Sequence, residues 1–106
     1  MQSFGGLLLD GVDAAGNGAS VEWNGGRGVL SAAGTFGGTS VTLEYMGPDA
    51  ATWLPVRVMA SDGVQTTVAL TAAGMFGFEL PPGRIRGAAT GGTPTDLFVR
   101  ADRVLY

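Results

Sequence analysis

The chain has 106 residues, 19 of them glycine, only 14% charged residues and a formal net charge of −3. That is enough for one domain with a modest core, while the negative balance argues against a nucleic-acid binder, which needs clustered positive charge. Cysteine, histidine and lysine are all missing, which removes a disulfide framework, a thiolate metal site, a Ser-His pair and a Schiff base.

From the N-terminus, residues 1–18 are glycine-rich, with one apolar knot at Leu7-Leu8-Leu9. The segment reads as an arm ordered by a neighbour, or as an ordinary edge strand around Leu7 to Val12. The division adopted is an arm over 1–18 and a body over 19–106. Three leucines are too few for a signal-peptide core or a membrane span, and no basic segment precedes them. A protein made and used without export, away from membranes, is expected.

Ala19, Val21 and Trp23 alternate with polar residues and form the first clear strand, turned by Asn24-Gly25-Gly26 into a second over Arg27 to Ala33. Gly34 to Gly38 leads into the best-determined stretch, Ser40 to Arg57. There Val41, Leu43 and Tyr45 share one face, Gly47-Pro48-Asp49 is turn chemistry, and Thr52 to Val58 returns. Setting Met46 against Trp53 across a six-residue loop places Tyr45 against Leu54, Leu43 against Val56 and Val41 against Val58, one wholly apolar face. Pro55 lacks the donor a central strand needs, so the returning strand lies on an edge or carries a bulge. Asp62-Gly63 looks like a tight turn, but a two-residue loop sets Val58 against Thr67 and mismatches the apolar set. An extra loop residue, a bulge or a crossing to a second sheet repairs it.

Farther on, Phe76, Phe78 and Leu80 make an apolar face, and Pro81-Pro82-Gly83 fits a type II turn. Ile85, Gly87 and Ala89 point inward opposite Arg84 and Arg86. After Gly91-Gly92-Thr93-Pro94, Leu97, Val99 and Ala101 point inward opposite Phe98, Arg100 and Asp102, and Val104-Leu105-Tyr106 closes the chain. About eight short strands at about ten-residue spacing predict an all-β, antiparallel β-sandwich or jelly roll.

Chemistry is thinly supplied. The nine carboxylates scatter over turns and outward strand positions, where solvated charge is the ordinary state. Asp10, Asp13 and Asn17 form one oxygen-rich loop, but calcium's EF-hand spacing is not matched. No catalytic residue, metal, cofactor or small-molecule substrate is expected. Glu44 lies diagonally across from Arg57 in the hairpin register, near Met46 and Trp53. This is a cross-strand ion pair or a contact patch, since Trp, Met and Arg are enriched at interfaces; alternatively, a bulge at Pro55 turns Trp53 into the core. Charge is uneven: six acids and two arginines up to Asp62 leave −4, and three acids and four arginines beyond it leave +1. Arg84, Arg86, Arg100 and Arg103 suit pairing with acids of a neighbour.

The order Trp23-Asn24-Gly25-Gly26-Arg27-Gly28, Ala33-Gly34-Thr35-Phe36-Gly37-Gly38, Val41-Thr42-Leu43, Gly47-Pro48-Asp49 with Trp53, and Phe78-Glu79-Leu80-Pro81-Pro82-Gly83 with Arg86 resembles a group of small tailed-bacteriophage virion proteins. The match runs from about Trp23 to Val104, on turn and strand signatures. The resemblance implies a virion structural protein, first of all a capsid decoration or cement protein on the head surface, made in the host cytoplasm. Its implied partners are the major capsid protein and other copies of itself, as trimers in some such proteins, and it carries no catalytic residues. The contact residues expected are Leu7, Leu8, Leu9, Trp53, Arg57, Arg84 and Arg86. The rival readings are a tail, neck or fibre-associated virion protein, and a carbohydrate-binding β-sandwich module using Trp23, Trp53 and Tyr45.

Overall fold

The alternation from Ser40 folds as written as far as Pro55. In this computed structural model, which describes residues 5–59 and 65–103, β5 (Ser40–Met46) and β6 (Trp53–Pro55) pair with Met46 opposite Trp53 and Tyr45 opposite Leu54. The loop between them is closed by its own polar groups. The Gly47 amide donates to the Thr52 carbonyl (2.7 Å) and the Ala50 amide to the Gly47 carbonyl (3.0 Å). One Asp49 carboxylate oxygen accepts from the amides of Ala51 (3.0 Å) and Thr52 (2.9 Å), the other from the Thr52 hydroxyl (2.6 Å). This clasp holds Ala50 at a φ of 57°, a conformation that a non-glycine residue takes only when its surroundings impose it.

Past Pro55 the expected register ends. The Val56 amide still donates to the Leu43 carbonyl (2.9 Å), but the Val56 carbonyl accepts from Val68, whose own carbonyl takes the Leu43 amide. Val56 and Val68 are both buried. The chain has left the ladder, so Val41 faces Leu70 of β9 (Ala69–Leu70) and not Val58. The face is not wholly apolar toward a core either, because Leu54 is exposed. Having no amide hydrogen, proline sits on the edge strand, as expected, and the strand peels away directly after it.

The peeled segment forms a two-stranded ribbon of β7 (Arg57–Met59) and β8 (Gln65–Thr67). Its ladder sets Val58 against Thr66, one residue off the two-residue-loop register. Val68 then hands the chain back to β5 through β9. Of the alternatives offered, the crossing is the one the described residues contain, since β8 pairs β7 in the ribbon and β9 pairs β5 in the second sheet. The Asp62-Gly63 turn itself lies outside the described residues, as does Val104-Leu105-Tyr106.

The remaining strands are β1 (Gly5–Val12), β2 (Gly16–Asn17), β3 (Val21–Trp23), β4 (Gly26–Thr35), β10 (Gly74–Leu80), β11 (Gly83–Thr90) and β12 (Thr95–Arg103), all in antiparallel pairs and with no helix among the described residues. Outward from the β5–β6 tip, β4 pairs β10, β3 and β2 pair β11, and β1 pairs β12. A long hairpin is thus rolled over on itself. The first sheet runs β1-β12-β4-β10, and the second runs β2-β11-β5-β6, with β3 also on β11 and β9 also on β5. Counting β2 with β3 and β6 with β9 as interrupted single strands, this is the eight-strand order of a jelly roll.

Between the layers lie Val41, Leu43, Ile85, Leu97, Val99 and Ala101, all fully buried at the inward positions that alternation assigned, and Leu30, also fully buried. Trp23 packs its ring on Phe78 with centroids 5.1 Å apart and planes tilted by 49°, a favoured aromatic arrangement. Gly28 makes room for them: a Cβ there would lie 2.5 Å from Trp23 Cη2 and 2.6 Å from Phe78 Cζ.

Two expectations are corrected. Pro81-Pro82-Gly83 is not a type II turn, which needs a positive φ at Gly83; Gly83 has none and opens β11. Its lack of a side chain instead lets the Tyr45 ring approach, with the Tyr45 hydroxyl donating to the Pro82 carbonyl (2.7 Å). Nor do residues 5–18 form an arm. The edge-strand alternative is the one found, with β1 on β12 and β2 on β11, so the sandwich begins well before residue 19. Leu8 and Leu9 are both buried (3% and 4% exposed), because a register shift between Leu7 and Leu9 breaks the alternation and turns two consecutive side chains inward.

Gly28→Ala should therefore lower the urea midpoint by the equivalent of about 1–3 kcal/mol through overpacking. Gly77→Ala, on the neighbouring strand with the Gly28 carbonyl oxygen 4.0 Å from the added Cβ, should be neutral or slightly stabilising.

The Asp49 clasp carries its own pH signature. The Thr52 hydroxyl first, then the Thr52 and Ala51 amides, lower the Asp49 pKa from 3.8 to about 2. A depressed carboxylate stabilises the fold above its unfolded value, and that contribution is lost as pH falls from 3.8 through about 2. The difference in thermal midpoint between wild type and Asp49→Asn should narrow across that window. NMR titration of the Asp49 carboxyl should give a midpoint near the lower end.

Candidate interaction surface

Alternation on the second sheet turns Glu44, Arg84, Arg86 and Trp53 away from the core. Arg86 on β11 stands directly opposite Glu44 on β5, and its Nε donates to Glu44 Oε1 at 2.7 Å. The two side chains are 21% and 20% exposed, well shielded for groups on an outer face. The Arg86 guanidinium carbon lies 4.4 Å from the centroid of the Trp53 ring, a cation–π distance. Two residues away on the same strand, Arg84 donates from Nη1 to the Ser20 hydroxyl (3.0 Å) and sits opposite Glu22.

Of the seven contact residues expected, Trp53, Arg84 and Arg86 share this face. Arg57 does not join them: it lies on β7 opposite Thr67, so Glu44 pairs with Arg86 instead. The reason is the departure of the strand after Pro55, which carries Arg57 out of the sheet. Trp53 is half-buried on the outer face and has not been turned into the core. Leu7 is exposed on the other sheet, while Leu8 and Leu9 belong to the core and present no contact surface.

The three aromatics singled out as a glycan platform do not share a face. Trp23 is buried between the sheets, with no partner for its Nε1 among the described residues. Tyr45 lies on the inward phase of β5, while Trp53 points outward. In the oxygen-rich loop, Asp13 Oδ1 accepts from the Asp96 amide at 2.9 Å, tying the end of β1 to the start of β12. Among the described residues no three acidic side chains are grouped to hold a metal ion.

Two surface residues escaped the list of expected contacts. Met75 and Phe98 are 71% and 43% exposed on the outer face of the first sheet. The signal was available, since both are large apolar side chains on the outward phase of strands whose inward phase is already apolar.

No family model matches the chain, and no curated protein matches it. Among solved structures, it is similar to a de novo designed double-stranded β-helix determined by solution NMR, with a TM-score of 0.43, 18% identity, and coverage of 96% of this chain and 97% of that one. It is also similar to a carbohydrate-binding module (CBM6cm-2) of Cellvibrio mixtus lichenase 5A in complex with cellotriose, with a TM-score of 0.39, 17% identity, and coverage of 89% of this chain and 75% of that one. The jelly-roll assignment rests on the chain's own strand order.

The Glu44–Arg86 pair should couple energetically. A double-mutant cycle with Glu44→Gln and Arg86→Met should return a coupling of about 1 kcal/mol, between an exposed pair and a buried one. Breaking the pair should also shift the Trp53 side-chain indole resonance in NMR spectra.

Proposed function

We propose that this protein works by binding, as a structural component of a tailed-phage virion, and specifically as a decoration protein that fastens subunits of the head shell. The observation that carries the reading is the outer face of the second sheet. It holds a half-buried tryptophan under one arginine, with a second arginine on the adjacent outward position of the same strand. Tryptophan and arginine dominate the energetics of protein interfaces. Arg86 is also held in place by Glu44, so little of its side-chain entropy remains to be lost on docking. The order of turn and strand motifs, with its resemblance to small phage virion proteins, supplies the biological setting.

A compact two-layer body suits this task. Each copy adds a modest contact, and repetition over a lattice turns modest affinity into shell stability. The acidic surface of the first part of the chain and the arginines of the second give opposite signs with which to meet neighbouring subunits.

The test is to purify particles, count this chain by mass spectrometry and rebind the isolated protein to stripped heads. The expected result is a copy number comparable with that of the major shell protein. Retention should fall at least about tenfold for Trp53→Ala and clearly for Arg84→Glu, with the fold intact. A copy number far below that of the shell protein would move the chain to the tail or neck. Absence from particles, together with glycan binding that Trp53→Ala abolishes, would replace the proposal with a carbohydrate-binding role.

A further inference from the structure

The chain contains two asparagines, Asn17 and Asn24, and each is followed by glycine. At such a step the side-chain amide lies within reach of the next peptide group. Glycine has no Cβ to shield that nitrogen or to restrict the backbone around it. The fold places the two steps in opposite surroundings.

Asn17 lies on β2 opposite Ala88, inside a strand ladder. The Gly18 amide donates to the Gly87 carbonyl at 2.8 Å, and Gly18 is pressed so closely on the Leu8 carbonyl that a Cβ would overlap it. Asn24 stands between β3 and β4, in neither strand, and is exposed. Among the described residues no hydrogen bond engages its side chain or the Gly25 amide. Asn24 also borders a hollow of about 350 Å³ shared with Glu22 and Arg84, which gives water access to the step.

We infer that Asn24 is a site of self-modification, by attack of the Gly25 amide on the Asn24 side chain, and that the fold protects Asn17 from the same reaction. The Gly25 nitrogen gives up its proton and bonds to Asn24 Cγ. The Cγ–Nδ2 bond breaks, and ammonia leaves carrying that proton. Water then opens the cyclic imide at one carbonyl or the other, giving an aspartyl or an isoaspartyl residue. Nothing is oxidised or reduced, and water is the one co-reactant. At Asn17 the same attack first requires Gly18 to leave Gly87 and the chain to open locally, which lowers the rate by the population of the open state.

The products matter because of where they form. Each adds a negative charge beside Arg84, a competitor for a guanidinium that now bonds Ser20. The isoaspartyl product also lengthens the main chain by a methylene at the corner where Gly25 abuts the Pro82 ring. The reaction needs no partner and proceeds whatever the second sheet binds.

The test is to age the full chain in mildly alkaline buffer, folded and in urea, and to map the products by mass spectrometry. Cleavage after Glu22 separates the two asparagines, and an isoaspartate-specific methyltransferase labels the isoaspartyl form. In the folded protein, conversion should be at least about tenfold faster at Asn24 than at Asn17. In urea the two should convert at similar rates, which assigns the difference to the fold. Equal rates in the folded protein, faster conversion at Asn17, or a folded Asn24 that stays intact while the urea-unfolded one converts would overturn the inference. None of these outcomes bears on whether the protein is found on particles.

Discussion

Antiparallel pairing about a single reversal, between Met46 and Trp53, is the constraint from which the rest of this fold follows. The two arms leaving that tip stay paired to the ends of the described chain. Gly74 faces Ala32, and Gly83 faces Trp23; both arms advance equally between those couples, with nothing inserted on either side. The β7–β8 ribbon is the main interruption, and it falls immediately after proline withdraws a donor from the ladder. Once the paired ribbon is laid down, rolling it brings β4 beside β12 and β5 beside β11. The two sheets are products of that roll.

A rolled ribbon needs corners where both arms change layer together, and the unusual composition serves them. Asn24-Gly25-Gly26 and Pro81-Pro82 lie side by side at one corner, where a Cβ on Gly25 would stand 2.9 Å from the Pro82 ring. Two other corners meet where the Gly37-Gly38 doublet between β4 and β5 abuts the Gly91-Gly92 doublet between β11 and β12, joined by the Thr93 amide donating to the Gly37 carbonyl at 3.2 Å. A side chain on Gly92 would collide with the Gly37 and Gly38 backbone. Glycine here permits backbone to meet backbone between segments far apart in sequence. That explains doublets without a period: their placement follows corners, and the corners follow the unequal lengths of the straight runs.

This also marks what was legible in the residues. Period-two alternation located the core on nearly every long strand, because one buried face leaves that signature whatever the partner. Leu97, Val99, Ala101 and Ile85 are where it put them. Partners were harder. Asn24-Gly25-Gly26 reads locally as a hairpin turn, yet it carries the chain from one sheet to the other, a distinction that lies in the contact with Pro82 and not in the tripeptide. The Leu7-Leu8-Leu9 run hid a bulge, since three identical apolar residues cannot show which two face inward. At the candidate site, alternation put Arg84 and Arg86 outward correctly, but it assigned Glu44 to Arg57. Pairing within a hairpin can be counted along the chain, whereas the β5–β11 contact that brings Arg86 to Glu44 is made only when the ribbon closes.

The same closure explains why the two outer faces differ. On the second sheet, the strands that meet late in the roll bring acid and base together, and the Glu44–Arg86 contact with its tryptophan cover ties β11, β5 and β6 across their outward side. That face is braced by its polar residues. On the first sheet, β12 carries its ion pair within one strand, between Arg100 and Asp102; apart from Arg27 and Glu79, which face each other at one end, and Asp10 on β1, the outward residues of β1, β4 and β10 are small or apolar. A sheet gains little from apolar side chains on a solvated face unless something covers them. The contrast between a braced face and an uncovered one is produced by one set of pairings, and it is a physical ground for the proposal that this sandwich works by binding.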